Sequence, residues 1–180
     1  MEYIYINFNT MKYSILIIAL LVSTYAFSQE GSKYVIEMAK LAPLVGEWQG
    51  EGWIQQRNER IEFKQTEHVQ LKLESTTLLI EGIGYIDGEV GFQAMAIASF
   101  DPANGNYRFN SFLNDGKYTQ AAGIFKDDGS FEWSFDVPNG GTVKYIMAFT
   151  ADTWKETGHF SQDGTQWFPF MEMNLTKTKN

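Results

Sequence analysis

Nine turn signals divide the chain from Gly46 onward into ten short segments, and this beat restricts the fold more than any other feature. The signals fall at 57–60, 74–76, 87–88, 101–106, 114–116, 126–129, 138–141, 151–152 and 162–165. Asp87-Gly88 and Asp115-Gly116 are the clearest, because glycine accepts the positive φ that tight hairpins need. Short sequential strands at this spacing read as an antiparallel meander. No helical stretch separates them, which excludes parallel βαβ units. Ten antiparallel strands would leave two long exposed edges unless the sheet closes on itself.

The first segment carries the means to close. Residues 46–53 read Gly-Glu-Trp-Gln-Gly-Glu-Gly-Trp. Residues of like parity share one face of a strand, so Trp48, Gly50, Gly52 and Ile54 point one way and Glu47, Gln49, Glu51 and Trp53 the other. Two glycines behind a tryptophan let the strand bend, or admit another backbone or a ligand. Parity extends to other segments. Ile61, Phe63, Val69, Leu71 and Leu73 share an inward face with Gln65 and Glu67. Phe131, Trp133 and Phe135 alternate with Ser130, Glu132, Ser134 and Asp136. Trp154, Gly158 and Phe160 share a face with Glu156. Around 79–85, 92–100 and 167–175 both faces are apolar, and the pattern assigns no orientation. Upstream, 32–41 has the apolar spacing of a short helix, with Ser32 as N-cap and Pro43 as the stop. Such a helix either covers one end of the barrel or is a frayed linker.

Residues 1–28 read as a signal peptide whose true start is Met11. Lys12 supplies the charge, 15–22 is an apolar run too short for a comfortable span, and Ala26-Phe27-Ser28 is a small-x-small cleavage site before Gln29. A membrane anchor is the alternative. Residues 29–45 then form helix and linker, and 46–178 the barrel. The formal net charge of −8, with no Lys/Arg cluster, argues against nucleic acid and anionic membrane surfaces. The chain has no cysteine, which excludes disulfides, thiolate metal sites and a Cys nucleophile. His68 and His159 fall on outer faces without zinc spacing, and there is no Gly-x-Ser-x-Gly elbow.

The inward polar residues carry the chemistry. A carboxylate facing an apolar interior costs several kcal/mol unless it is paired, hydrogen-bonded or hydrated. Glu67 and Glu156, with Gln65 nearby, therefore imply either a partly wet cavity or structural polar plugs. Glu81 and Arg108 are weaker candidates for the same lining. Arg108 either neutralises an interior carboxylate or lies outside. Trp48, Phe63, Trp133 and Trp154 would supply the apolar wall, with Met171 and Met173 as adaptable fillers.

Several motifs together resemble a known family. They are Gly-x-Trp-x-Gly-x-Gly at 46–52, Glu62-Phe63, Thr66-Glu67-His68-Val69, Ser99-Phe100-Asp101-Pro102, Tyr107-Arg108, Phe131-x-Trp133, Ser161-x-Asp163-Gly164 and Phe170-Met171-Glu172-Met173-x-Leu175. The set is similar to a bacterial domain-of-unknown-function family of exported lipocalin-like barrels. The resemblance implies an all-β, about ten-stranded antiparallel barrel and no established activity. The opening motif is also similar to that of the nitrobindins, haem-binding barrels with an iron-ligating histidine on the final strand region. Here 167–177 contains no histidine, so no haem and no other cofactor is expected. The leading expectation is an exported barrel, periplasmic or extracellular, holding a small, largely apolar molecule. A carboxylate enzyme using Glu67 or Glu156 is one alternative. A filled barrel acting through its outer surface, with Trp53 and the last strand as a patch, is the other. If 1–28 is a signal peptide, intact-mass and N-terminal analysis of the protein from its own host will give a chain beginning at Gln29. A chain retaining 15–22 would identify an anchor instead.

Overall fold

Each of the nine turn signals closes a hairpin. A computed structural model describes residues 33–178 except Asn139. The expected signal peptide at 1–28, its start at Met11 and the Ser32 cap lie outside the described residues. The strands are β1 (Gly46–Gln56), β2 (Glu59–Lys72), β3 (Thr77–Ile86), β4 (Glu89–Asp101), β5 (Asn106–Leu113), β6 (Tyr118–Phe125), β7 (Phe131–Asp136), β8 (Thr142–Phe149), β9 (Thr153–Ser161) and β10 (Phe168–Lys177). Each pairs antiparallel with its neighbour in sequence, and β10 returns to pair with β1, so the sheet is a closed barrel. Closure satisfies the backbone donors and acceptors that free edges would leave open.

The seam is where the glycines act. β1 is paired with β10 from Trp48 opposite Lys177 to Ile54 opposite Met171. A Cβ on Gly50 would lie 2.0 Å from the carbonyl oxygen of Asn174 and 2.9 Å from the Cα of Leu175. A Cβ on Gly52 would lie 2.4 Å from the Glu172 carbonyl oxygen and 2.6 Å from the Phe63 ring. The backbone of β10 thus occupies the inward side of β1, an approach that only a residue without a side chain permits. Aromatic rings fill comparable gaps elsewhere. The Phe92 ring would be 2.1 Å from a Cβ on Gly84, which it faces directly across β3 and β4.

One end of the barrel is plugged. A short helix, α1 (33–39), and a 3-10 turn (Ala42–Leu44) bring Met38, Leu41 and Leu44 to complete burial. Polar bonds fix the plug. Tyr107 Oη donates to the Glu37 carbonyl oxygen at 3.0 Å, Trp48 Nε1 to the Leu44 carbonyl oxygen at 2.7 Å, and Lys177 Nζ to the Pro43 carbonyl oxygen at 3.0 Å. The helix therefore covers the barrel end. Above it Trp48, Val69, Leu78, Ala98, Phe100, Phe131 and Leu175 form the packed core.

Parity orients most of the strands as expected. Structure also resolves the doubly apolar ones: Leu78, Ile80, Gly82 and Gly84 face inward on β3, Phe92, Ala94, Ala96, Ala98 and Phe100 on β4, and Met171, Met173 and Leu175 on β10. Leu73 departs from the expectation. It is 75% exposed because the chain has left the sheet there, with Leu73, Glu74 and Ser75 at φ of 50, 55 and 66°. Ser130, read as outward, is buried at the foot of β7, where its hydroxyl donates to Asp128 Oδ1 at 2.6 Å. Trp53 is only half-exposed, because the Arg60 guanidinium lies 4.3 Å over its ring. If the seam depends on the missing side chain, Gly50→Ala will lower unfolding stability by about 3 kcal/mol. Denaturant titration beside Glu51→Ala, an outward neighbour expected to be near neutral, measures it.

Candidate ligand cavity

Toward the end opposite the plug the barrel is hollow. The cavity has a volume of about 570 Å³ and opens between Gln56, Ile86 and the β5–β6 turn at Asn114, Asp115 and Lys117. Apolar walls with a few fixed polar groups are the usual make-up of a small-molecule site, and this volume lies in the usual range. Small residues make the room: Gly82, Ala94 and Ala96 face inward where larger side chains would fill the space.

One wall is a continuous aromatic stack. Trp133 lies 4.5 Å from Phe109 and 4.1 Å from Tyr145, centroid to centroid, with interplanar angles of 19 and 11°. β5, β7 and β8 supply these rings in turn, and register places Trp133 directly opposite Tyr145. Facing walls come from Phe63, Phe92, Met147, Met171 and Met173.

The polar groups form two clusters. On β2, two residues apart and therefore on one face, Gln65 Nε2 donates to Glu67 Oε1 at 2.7 Å. A Cβ on Gly82 would lie 2.5 and 2.6 Å from the two Glu67 carboxyl oxygens and 2.8 Å from Gln65 Nε2, so the glycine of β3 reserves the space their heads occupy. On β9, Glu156 Oε1 accepts from Trp133 Nε1 at 3.3 Å. Gln65, Glu67 and Glu156 are 3, 8 and 7% exposed. Among the described residues, Gln65 Oε1, Glu67 Oε2 and Trp154 Nε1 of this lining are buried without a hydrogen-bond partner, as is His159 Nδ1 outside it.

Burial sets the electrostatics. Desolvation pushes the Glu67 carboxyl up to about 7, against the Gln65 hydrogen bond, which favours the charged form. Desolvation also pushes Glu156 up to about 8, and the Glu67 charge adds to the rise. The Trp133 and Trp154 indole N–H groups oppose it; Trp154 acts as a nearby dipole, since its Nε1 makes no hydrogen bond. Tyr145 is raised as well, first by burial and then by the Glu156 charge. The two carboxyls titrate as an interacting pair.

Of the residues singled out from the sequence, Phe63, Gln65, Glu67, Trp133, Trp154 and Glu156 line this one cavity. Trp48 does not. It lies buried below the cavity, edge-to-face with Trp154 at 5.9 Å. Arg108 is off the lining too: it is exposed on the outer face of β5, and its guanidinium pairs with Asp101 Oδ2 at 2.9 Å. The reason is parity, since the inward Tyr107 and Phe109 flank it. Glu81 is likewise outside, 3.6 Å from His68 Nδ1. Sequence reasoning missed Phe109, Phe92 and Tyr145. The alternation of Tyr107, Phe109 and Ser111 could have revealed the first, whereas β8 is half-buried along nearly its whole length and has no readable alternation. No cluster of His, Asp or Glu among the described residues could hold a metal ion. No helix among them is long and apolar enough to cross a membrane.

No protein-family model matches the chain, and no curated protein sequence does. Solved structures do. Rv2717c from M. tuberculosis is similar over 79% of this chain and 97% of its own, at 14% identity and a TM-score of 0.64. The S-type phycobiliprotein lyase CPES from Guillardia theta is similar over 81% of this chain and 94% of its own, at 9% identity and a TM-score of 0.57. At these identities the likeness shows the fold, a lipocalin-like barrel.

The sign of the pH dependence follows from the raised carboxyls. A group whose pKa is higher in the fold than in the unfolded chain stabilises the fold below the unfolded value, and that contribution is lost as pH rises through the folded value. For Glu156 the window runs from the ordinary 4.5 to about 8. Glu156→Gln will therefore gain stability relative to the parent protein between pH 5 and pH 9, on the order of 3 kcal/mol. His159, lowered by burial and by Lys144, is common to both proteins and cancels. Parallel stability curves would show that Glu156 is ionised throughout.

Proposed function

We propose that this chain is a non-catalytic binding protein that holds a small, largely apolar molecule inside the barrel. The single observation behind this reading is the conjunction at one cavity of a stacked aromatic wall with buried, unpartnered polar atoms. A barrel built only for stability would fill that volume with side chains and not gather three orphaned polar atoms around it. The aromatic and methionine surface supplies affinity through apolar burial, and the few polar atoms fix orientation. The motif set supports membership of the exported bacterial lipocalin-like family it resembles. Export, to the periplasm or the cell exterior, is supported by residues 11–28, and an acidic chain without a basic cluster does not suit nucleic acid as a partner.

A second reading has one specific observation in its favour. Two carboxyls with raised pKa values in an open cavity could act as general acid and base near neutral pH. Under that reading a bound molecule is converted, and Glu67→Gln or Glu156→Gln traps it unchanged.

Native mass spectrometry of protein purified from its own host, with uptake of the neutral dye N-phenyl-1-naphthylamine, tests the binding reading. A co-purifying small molecule, or dye uptake that Ala94→Trp reduces about tenfold by filling the cavity, is the expected result. Neither a passenger molecule nor dye uptake would refute it.

A further inference from the structure

The two unpartnered oxygens at the Gln65–Glu67 cluster define what should meet them. The Gln65 amide nitrogen is already committed to Glu67 Oε1. The oxygens left without a partner are Gln65 Oε1 and Glu67 Oε2, both buried, the second an acceptor once the carboxyl is ionised. They are held by two adjacent inward positions of β2 and by the space that Gly82 leaves on β3. A buried acceptor without a donor costs about 1–3 kcal/mol, more if charged, so a molecule presenting N–H groups here recovers that cost on binding.

The charges around the cavity point the same way. The titratable groups of its lining are Glu67, Glu156, Tyr145, Asp115 and Lys117. Lys117 belongs to the turn at the mouth, where its ammonium is paired with the Asp115 carboxylate at 2.5 Å. No basic side chain of the lining therefore reaches the interior carboxyls, and the counter-charge is left for the occupant to bring. Trp133 is stacked between Phe109 and Tyr145, so the wall presents ring edges to the cavity, and a flat π system packs its face against them edge-to-face.

We propose that the occupant is a flat aromatic nitrogen base, bound through N–H donors to Glu67 Oε2 and Gln65 Oε1 with its ring system on the Phe109–Trp133–Tyr145 wall. The proton balance is simple. A neutral base entering beside a protonated Glu67 takes the carboxyl proton, leaving a cation against a carboxylate. A cation entering beside protonated Glu67 displaces that proton to solvent and reaches the same pair. This inference rests on the ligand-binding reading and adds the chemical class of the molecule.

Three probes of similar size separate the two. 9-Aminoacridine is a flat nitrogen cation, anthracene-9-carboxylate has the same three-ring outline with the opposite charge, and N-phenyl-1-naphthylamine is neutral. Titration calorimetry on the full chain should show 9-aminoacridine binding at least about tenfold more tightly than anthracene-9-carboxylate. Glu67→Gln should weaken 9-aminoacridine about tenfold and shrink its preference over anthracene-9-carboxylate by the same factor. Gln65→Leu, which also removes an unpartnered acceptor, should act in the same direction. Equal binding of all three probes, or preference for the carboxylate, overturns the inference and leaves the binding reading standing. Uptake of none of them overturns both. The comparison of probes on the parent protein needs no variant to fold.

Discussion

A carbonyl oxygen of β10 occupies the place where a side chain on residue 50 would begin, and the barrel depends on that approach. A ten-stranded sheet can close only if its last strand reaches its first, and here the two backbones meet over the inward side of β1. With Gly50 and Gly52 the seam is continuous from Trp48 to Ile54. Without them β10 would be displaced and both edges would open to solvent. Closure creates an inside, and every other property described above concerns how that inside is used.

It is used unevenly. The helix and 3-10 turn seal one end, with Trp48 and Tyr107 spending their polar atoms on backbone and carboxylate groups of the plug. Toward the other end small residues on β3 and β4 keep the interior open. The polar cost of the structure is concentrated there. Two carboxyls, one carboxamide and two indole nitrogens share a space walled by rings and thioethers, and fewer hydrogen bonds are made than the atoms present could form. A packed core would not tolerate that deficit. Under the proposed binding function an occupant would complete the pairing. Gly82 is informative in this respect, since its missing side chain is the space in which the Glu67 and Gln65 heads lie, so the fold itself holds them in position.

Much of this was legible in the sequence. All nine turns are where the sequence signals place them, eight of them marked by Gly, Pro, Asn or Asp and the ninth by Glu74-Ser75-Thr76, because turn chemistry is local. Alternation put Glu67 and Glu156 on inward faces, because successive side chains of a strand point to opposite sides by covalent geometry alone. The same rule, applied to β5, would have turned Arg108 outward between Tyr107 and Phe109. Leu73 shows where alternation ends: three consecutive residues in the left-handed region take the chain off the sheet, and an apolar side chain goes with them.

The sequence by itself determined the strand count, the antiparallel order and the presence of acids on the inner surface, since each follows from local propensity and a period of two. Only the tertiary structure decided that the barrel is filled at one end and hollow at the other, that Trp48 lies beneath the cavity while Tyr145 and Phe109 join its wall, and that Gln65 and Glu67 face a glycine. Those outcomes depend on which residues of distant strands come level with one another, and that register is set by closure of the whole sheet. No segment of the chain encodes it alone.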